Sequence, residues 1–481
     1  MFRQRVLVGM LGVLLAGAAA SAQMMELVEE EGFVSEPIDV SDRNDPDGLI
    51  EEAREMLDCW DSDAEILARR AVELAPKRAE AHVVLGRALA FNDQPQKALE
   101  SFNKAIQLSD RPAEALSWRA EAWQKLRKHD KAKADLDRAI VLDPVNWRYY
   151  QARADFWWNH GATDKAMKDT ELAWKLCQEL AKKEDAEEKM DLRTDLAYLA
   201  AEAGAFEKAL EVSDGLQKAE EDWVKQTYWD VRAEVYAGQG QYEKAIAEIS
   251  KVIQNTESVT YAFSWRAEYK LKQGRFTAAI ADLTVVAAAD GEAMDYAARG
   301  RAYALSGDMK RAMADAKTAV EGDDWDGSGA DLMGILHLIE GRNKQAAEAF
   351  ERSLAKEPDY HYALLLRYIA ANRAGDASAA EELQKAWDEL YYKEYIGARL
   401  LALLLGKIDA EQLLVAAGKE PAHAQAELRN DAGYVIANAA LIRGDKQTAL
   451  KWLEKVARQA GPANVTRLLA QADLARLKPE E

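Results

Sequence analysis

A chain of 481 residues with only 27 glycines and 10 prolines, 49% hydrophobic and 30% charged, has the composition of a helix-rich protein. Its formal net charge of −20 repels phosphate backbones and anionic headgroups, so nucleic acid and anionic lipid are poor partners.

In chain order, residues 1–22 read as a secretory signal peptide. Arg3 and Arg5 precede an apolar run from Val6 to Ala20, and Ala20-Ser21-Ala22 forms a small-x-small cleavage site before Gln23. The run is shorter than the about 20 residues a membrane-spanning helix needs, and no cysteine near the cut could carry a lipid. The expectation is a soluble product, secreted or periplasmic, without stable membrane insertion after cleavage. Residues 23–46 are acidic and lack a sustained period, which predicts a flexible lead-in.

From residue 47 a period takes over. A marker alanine falls at Ala64, Ala98, Ala132 and Ala166 in steps of 34, then at Ala245, Ala279, Ala312, Ala346 and Ala380 in steps of 33 or 34, with weaker copies around Ala209 and Ala449. Each unit holds two amphipathic stretches separated by turn material such as FNDQPQ, GQGQ, LKQGR and IEGRN. A lone pair of helices this short cannot bury its apolar face, so neighbours must stack to share a continuous core. The order divides into an N-terminal block at 47–181, an irregular lengthened repeat at 182–222 with a charged run, a central block at 223–388, and degenerate and capping helices at 389–481.

Leu85-Gly86, Leu89, Ala98, Phe102 and Ala105 in the second unit, with Gly300, Tyr303 and Ala312, and Gly334, Ala346, Phe350 and Pro358 later, resemble the tetratricopeptide repeat pattern. That resemblance implies an all-α protein, a right-handed α-α superhelix of about 10–11 helix-turn-helix repeats, and a function in binding other proteins along a concave surface. The order after Ala380, an apolar helix, then LGKIDAEQLLVAAG and a closing repeat, is loosely similar to the C-terminal part of bacterial cell-envelope repeat lipoproteins that scaffold peptidoglycan hydrolases. The lipid-bearing cysteine of those proteins has no counterpart here. The final helix, Val465 to Leu477, is expected to cap the exposed end of the core.

Within the repeats an arginine stands 13 residues before the marker alanine at Arg119, Arg153, Arg232, Arg266 and Arg299, and again at Arg367. Its stem is expected over apolar neighbours, with its guanidinium near the aromatic four residues on. Two residues further along, Glu121, Asp155, Glu234 and Glu268 recur at the position whose counterpart in tetratricopeptide proteins often faces the groove. Carboxylates about 10 Å apart repel by only about 0.4 kcal/mol in water, so such a row is either an acidic surface for a basic or polar segment of a partner or a solvated edge. Trp158 lies about 100° round the helix from the core position of Trp157, toward the groove, and is a candidate for anchoring a partner or stacking on a sugar ring.

No Ser-centred elbow, zinc-helix motif, phosphate-binding loop or dinucleotide glycine pattern occurs. The six histidines are scattered, and the Asp-Gly-rich stretches 42–48 and 322–331 misplace the residues a calcium loop needs and read as turns. Cys59 and Cys177 lie about three repeats apart, too far to pair, and predict two free thiols. The expectation is a non-catalytic scaffold with no cofactor and no metal. The alternatives are a regulatory subunit or carbohydrate-binding accessory of a cell-wall enzyme, or a self-assembling homo-oligomer.

Overall fold

The computed structural model describes residues 40, 43–58, 62–182, 188–202, 204–217, 222–255, 260–322, 324–358, 360–418 and 422–478. Residues 1–22, read above as a signal peptide, nearly all of the acidic stretch 23–46 and Cys59 lie outside the described residues. Those described form 25 α-helices and no strand.

Two compact units are built, one from residues 1–159 and 165–218, the other from residues 160–164 and 219–481. Unit 1 holds α1 (Pro46–Asp58), α2 (Ala64–Leu74), α3 (Ala79–Phe91), α4 (Pro95–Leu108), α5 (Ala113–Lys125), α6 (His129–Leu142), α7 (Trp147–Asn159), α8 (Thr163–Ala181), α9 (Glu188–Glu202) and α10 (Phe206–Asp214). Unit 2 opens with α11 (Asp222–Gly238), α12 (Tyr242–Asn255), α13 (Thr260–Lys272), α14 (Phe276–Ala289), α15 (Ala293–Ser306), α16 (Met309–Glu321), α17 (Ser328–Ile339) and α18 (Asn343–Lys356). It continues through α19 (His361–Arg373), α20 (Ala379–Glu389), α21 (Ile396–Leu404), α22 (Ala410–Ala417), α23 (Ala422–Ile442), α24 (Lys446–Gln459) and α25 (Val465–Leu477).

Odd and even helices alternate as the first and second members of antiparallel pairs. The marker alanines Ala98, Ala132, Ala166, Ala245, Ala279, Ala312 and Ala346 are wholly buried. They sit near the start of each second helix, where a larger side chain would push the pair apart. Opposite them the first helix offers glycine: a Cβ added at Gly86 or Gly334 would stand 2.5 or 2.7 Å from the rings of Phe102 and Phe350. Thus the repeat's glycine and aromatic form one packing joint, a flat ring laid against bare backbone.

Between the helices of a pair, one residue takes a left-handed turn. Gly204, Gly274 and Gly341 do so at φ 70°, 74° and 76°, whereas the same turn falls on Asp93 at φ 52° after α3 and on Arg127 at φ 56° after α5. The Asp-rich stretch before α17 is a turn too, in which Asp324 accepts hydrogen bonds from the backbone N–H groups of Gly329 and Ala330 at 2.9 and 3.0 Å.

The C-terminus departs from the capping role expected of it. Ala463 is buried against Leu271 and Leu283, and Leu468 packs on the cores of both the α13–α14 and α15–α17 regions. So α25 returns over the middle of unit 2 as well as covering α24. Its apolar stripe specified a helix with a buried face, but periodicity carries no information about which earlier helix meets that face.

Candidate functional site

Several first helices of successive pairs touch one another as well as their own partners: α1 meets α3, α3 meets α5, and α15 meets α17. They form the more tightly spaced layer, which is the inner side of each unit's curve. Side chains at equivalent positions on this layer therefore share one wall.

The arginines two residues before the acids turn toward the second helices. Arg119 donates from Nε and Nη2 to Asp135 at 2.7 Å, and Arg153 pairs in the same way with Asp169 at 2.8 Å. Arg266 does so with Asp282 at 3.0 and 2.8 Å, and Arg299 with Asp315 at 2.8 Å. Arg232 makes a longer contact to Glu248 at 3.4 Å, and Arg367 pairs with Glu382. The four aspartates are buried, so each pair is two-pronged and largely withdrawn from water, where such bonds are short and directional.

Several of these guanidiniums also reach back to the preceding repeat. Arg119 donates to Asn103 at 2.6 Å, Arg153 to Asp137 at 2.8 Å and Arg266 to Ser250 at 3.2 Å, each 16 residues upstream. The aromatic expected four residues on is found for Arg232, which donates to the Tyr236 hydroxyl at 3.0 Å. Elsewhere the ring beside the guanidinium comes three residues earlier, as Tyr150, Phe263 and Tyr296 at 5.9, 5.0 and 5.3 Å. An arginine followed 16 residues later by a carboxylate was readable in the sequence, but only a search across the helix pair would have found it.

The acids stand on the inner wall as two short columns, each ended by an arginine at the equivalent position. In unit 1 the column runs Arg87, Glu121, Asp155 on α3, α5 and α7. Glu121 is an exposed residue, yet the protein crowded around its carboxyl raises it above the ordinary range, against the pull of Lys125 and Arg87. Asp155 is half-buried. Its loss of water, opposed by the Gln151 amide and reinforced by the Glu121 charge, pushes its carboxyl up to about 7. Gln151 donates to Asp155 at 3.2 Å and to Glu202 at 3.1 Å, tying α7 to α9 across the same wall. Arg87 stacks on Trp118 at 4.3 Å.

In unit 2 the column runs Glu234, Glu268, Arg301. Glu268 is engaged within the fold: it accepts from Arg301 at 2.9 Å and lies 3.9 Å from Lys272, which in turn pairs with Glu427 of α23 at 3.1 Å. Glu234 lies beside Asp230, a buried carboxyl that accepts from the Tyr261 hydroxyl at 2.9 Å. Burial and the Glu234 charge push Asp230 up to about 7. Of the five residues singled out by sequence, Glu121 and Asp155 meet on one wall in unit 1 with Trp158 half-buried on the same α7. Glu234 and Glu268 belong to a separate wall. Trp157, with Lys165 4.3 Å from its ring centre, fills the core position.

His82 is a packed residue, its Nε2 2.9 Å from the Pro76 carbonyl oxygen, and Cys177 is a buried free thiol. Among the described residues no group of three metal-ligating side chains occurs, and no helix is long and apolar enough to cross a membrane.

Tetratricopeptide repeat family models match residues 79–111, 231–293 and 332–392. No curated protein matches the chain. Among solved structures, a tetratricopeptide repeat protein from Parabacteroides merdae is 19% identical over 51% of this chain and 93% of its own, with a TM-score of 0.36. Yeast Tom70 is 16% identical over 90% of this chain and 96% of its own, with a TM-score of 0.40. The Cut9–Hcn1 heterotetramer of the APC/C is 14% identical over 95% of this chain and 94% of its own, with a TM-score of 0.35.

Proposed function

We propose that this chain, matched by tetratricopeptide repeat models in both of its units, is a non-catalytic scaffold whose unit 1 captures a basic segment of a protein partner. The general role is protein–protein interaction through the repeats; the finer assignment to the α3–α5–α7 wall is our reading. One relationship carries it: Glu121 and Asp155 occupy equivalent positions one period apart on α5 and α7, and the Glu121 charge adds to the burial that raises the Asp155 carboxyl. A lysine or arginine placed between them would relieve that cost, and the wall is preformed by stacking, so little ordering entropy opposes capture. The equivalent acids of unit 2 have less to offer, since Glu268 is already held by Arg301.

The leader-like residues 1–22 support placement of the scaffold outside the cytoplasm, in the periplasm or cell envelope. Binding of a fluorescent decalysine peptide to the full chain tests the site. Binding that weakens in Glu121→Gln and Asp155→Asn, and that releases protons near pH 7 when followed in buffers of different ionisation enthalpy, supports it. Equal binding by the double variant sinks it. Crosslinking in the cell envelope followed by identification of the captured protein tests both partner and location.

A further inference from the structure

Helix α25 crosses unit 2 as a bound ligand would. Pro462, just before it, lies 3.3 Å from where a Cβ on Gly274 would be, at the turn after α13. Leu468 packs against the apolar cluster that joins Ala297 and Ala304 of α15 to Leu332 and Leu336 of α17. Near its far end Arg476 donates to the Ile339 carbonyl at 3.0 Å, at the turn after α17. Thirteen residues of helix span about 20 Å, which matches two repeat spacings of about 10 Å. One helix therefore touches three consecutive repeats along their turn edge.

Recognition is polar at its centre. Asp473, buried on α25, accepts from Arg373 of α19 at 2.5 Å and from the Tyr434 hydroxyl at 3.2 Å, and also pairs with Arg476. Arg373 donates in addition to Asn438 at 2.7 Å. Near the start of α25, Thr466 donates to Asp431 at 3.0 Å. Apolar residues of the same volume would hold a permanent core at least as well as a buried ion pair does. A pair retained here selects which helix docks and in what register. Two further features make the helix separable: 13 residues are marginal as a helix without docking, and Gly461 in the link before it has open space around it.

We propose that the turn edge of α13, α15 and α17, with Arg373, is a helix-docking surface. Its resident occupant is α25, and the partner it fits is an amphipathic helix that carries leucine for the α15–α17 cleft and a carboxylate for Arg373. This surface is distinct from the acidic wall of unit 1, and either assignment stands without the other. The resident helix has the advantage of attachment, an effective concentration in the millimolar range, so exchange requires a tighter partner or a weakened α25.

The test uses the full chain and a labelled synthetic peptide spanning Pro462 to Lys478. The Asp473→Arg chain should bind the peptide at least tenfold more tightly than the unsubstituted chain, and a peptide carrying the same Asp473→Arg change should lose that binding. Native-state hydrogen exchange on the unsubstituted chain gives an independent reading: the amides of α25 should exchange at least tenfold faster than those of α17. If the Asp473→Arg chain fails to fold, the exchange measurement decides alone. Exchange of α25 no faster than α17, or a folded Asp473→Arg chain that ignores the peptide, overturns the proposal.

Discussion

Gly86 and Phe102, sixteen residues apart, are in such close apposition that a methyl group on the glycine would stand 2.5 Å from the ring. Gly86→Ala is therefore expected to destabilise unit 1 by about 1–3 kcal/mol, the usual cost of overpacking a core. The shift in denaturant midpoint measures it, and Gly86→Ala combined with Phe102→Leu should recover part of the loss. An unchanged midpoint in the single variant would show that the joint yields without strain.

The Arg119–Asp135 pair separates two meanings of a buried ion pair. Arg119→Ala leaves the buried Asp135 carboxylate without its two donors, and a loss of about 3–5 kcal/mol is expected. Replacing both residues with leucine should be close to neutral, because no charge is then stranded. Equal losses in the single and double variants would mean that the pair itself, and not the stranded charge, carries the energy.

Arg127 occupies the left-handed turn between α5 and α6 at φ 56°, a conformation that disfavours side chains by about 1–2 kcal/mol. Arg127→Gly should raise stability by about 0.5–1 kcal/mol after the greater freedom of the unfolded glycine is set against it. The reverse change at Gly274, to alanine, should lower it. Melting temperatures of the two variants that move in the same direction would refute this account.

Asp155 gives stability a pH dependence of unusual sign. Its folded carboxyl titrates near 7 and its unfolded one near 3.8, so the folded state holds the proton more tightly. That contribution is fully present below about pH 4 and is lost as pH rises through about 7. Asp155→Asn should accordingly gain melting temperature relative to the unsubstituted chain as pH is raised from 5 to 8, with little difference at pH 4. A gap independent of pH would place the carboxyl back in the ordinary range.

The repeat was plain in the sequence because its cause is local. Ala98 and its successors must be small, Gly86 and Gly334 must be bare, and the chain cannot satisfy those needs without showing a 34-residue period. Glu121 and Asp155 were legible as neighbours on one face for the same reason, being one period apart. What stayed hidden depends on pairs from different registers. Arg119 was read against the aromatic on its own helix, whereas its partner Asp135 is on the next one. The engagement of Glu268 by Arg301 needed the equivalence of positions on α13 and α15, and there the step is 33, so a strict period slides past it. The return of α25 onto α17 and α19 was beyond periodicity altogether: Arg476 meets Ile339 across 137 residues and Arg373 meets Asp473 across 100, and nothing local marks them as partners.

The guanidiniums that bond 16 residues back and 16 residues forward also govern how this architecture can lengthen or shorten. Duplication or excision of a whole module returns such an arginine to a polar partner of matching position, as Arg119, Arg153 and Arg266 have in Asn103, Asp137 and Ser250 behind and Asp135, Asp169 and Asp282 ahead. A cut of any other length sets a guanidinium opposite the wrong side chain on two neighbours at once. Growth by entire modules is thereby favoured at the level of individual charges, and a designer extending the array should count in steps of 34.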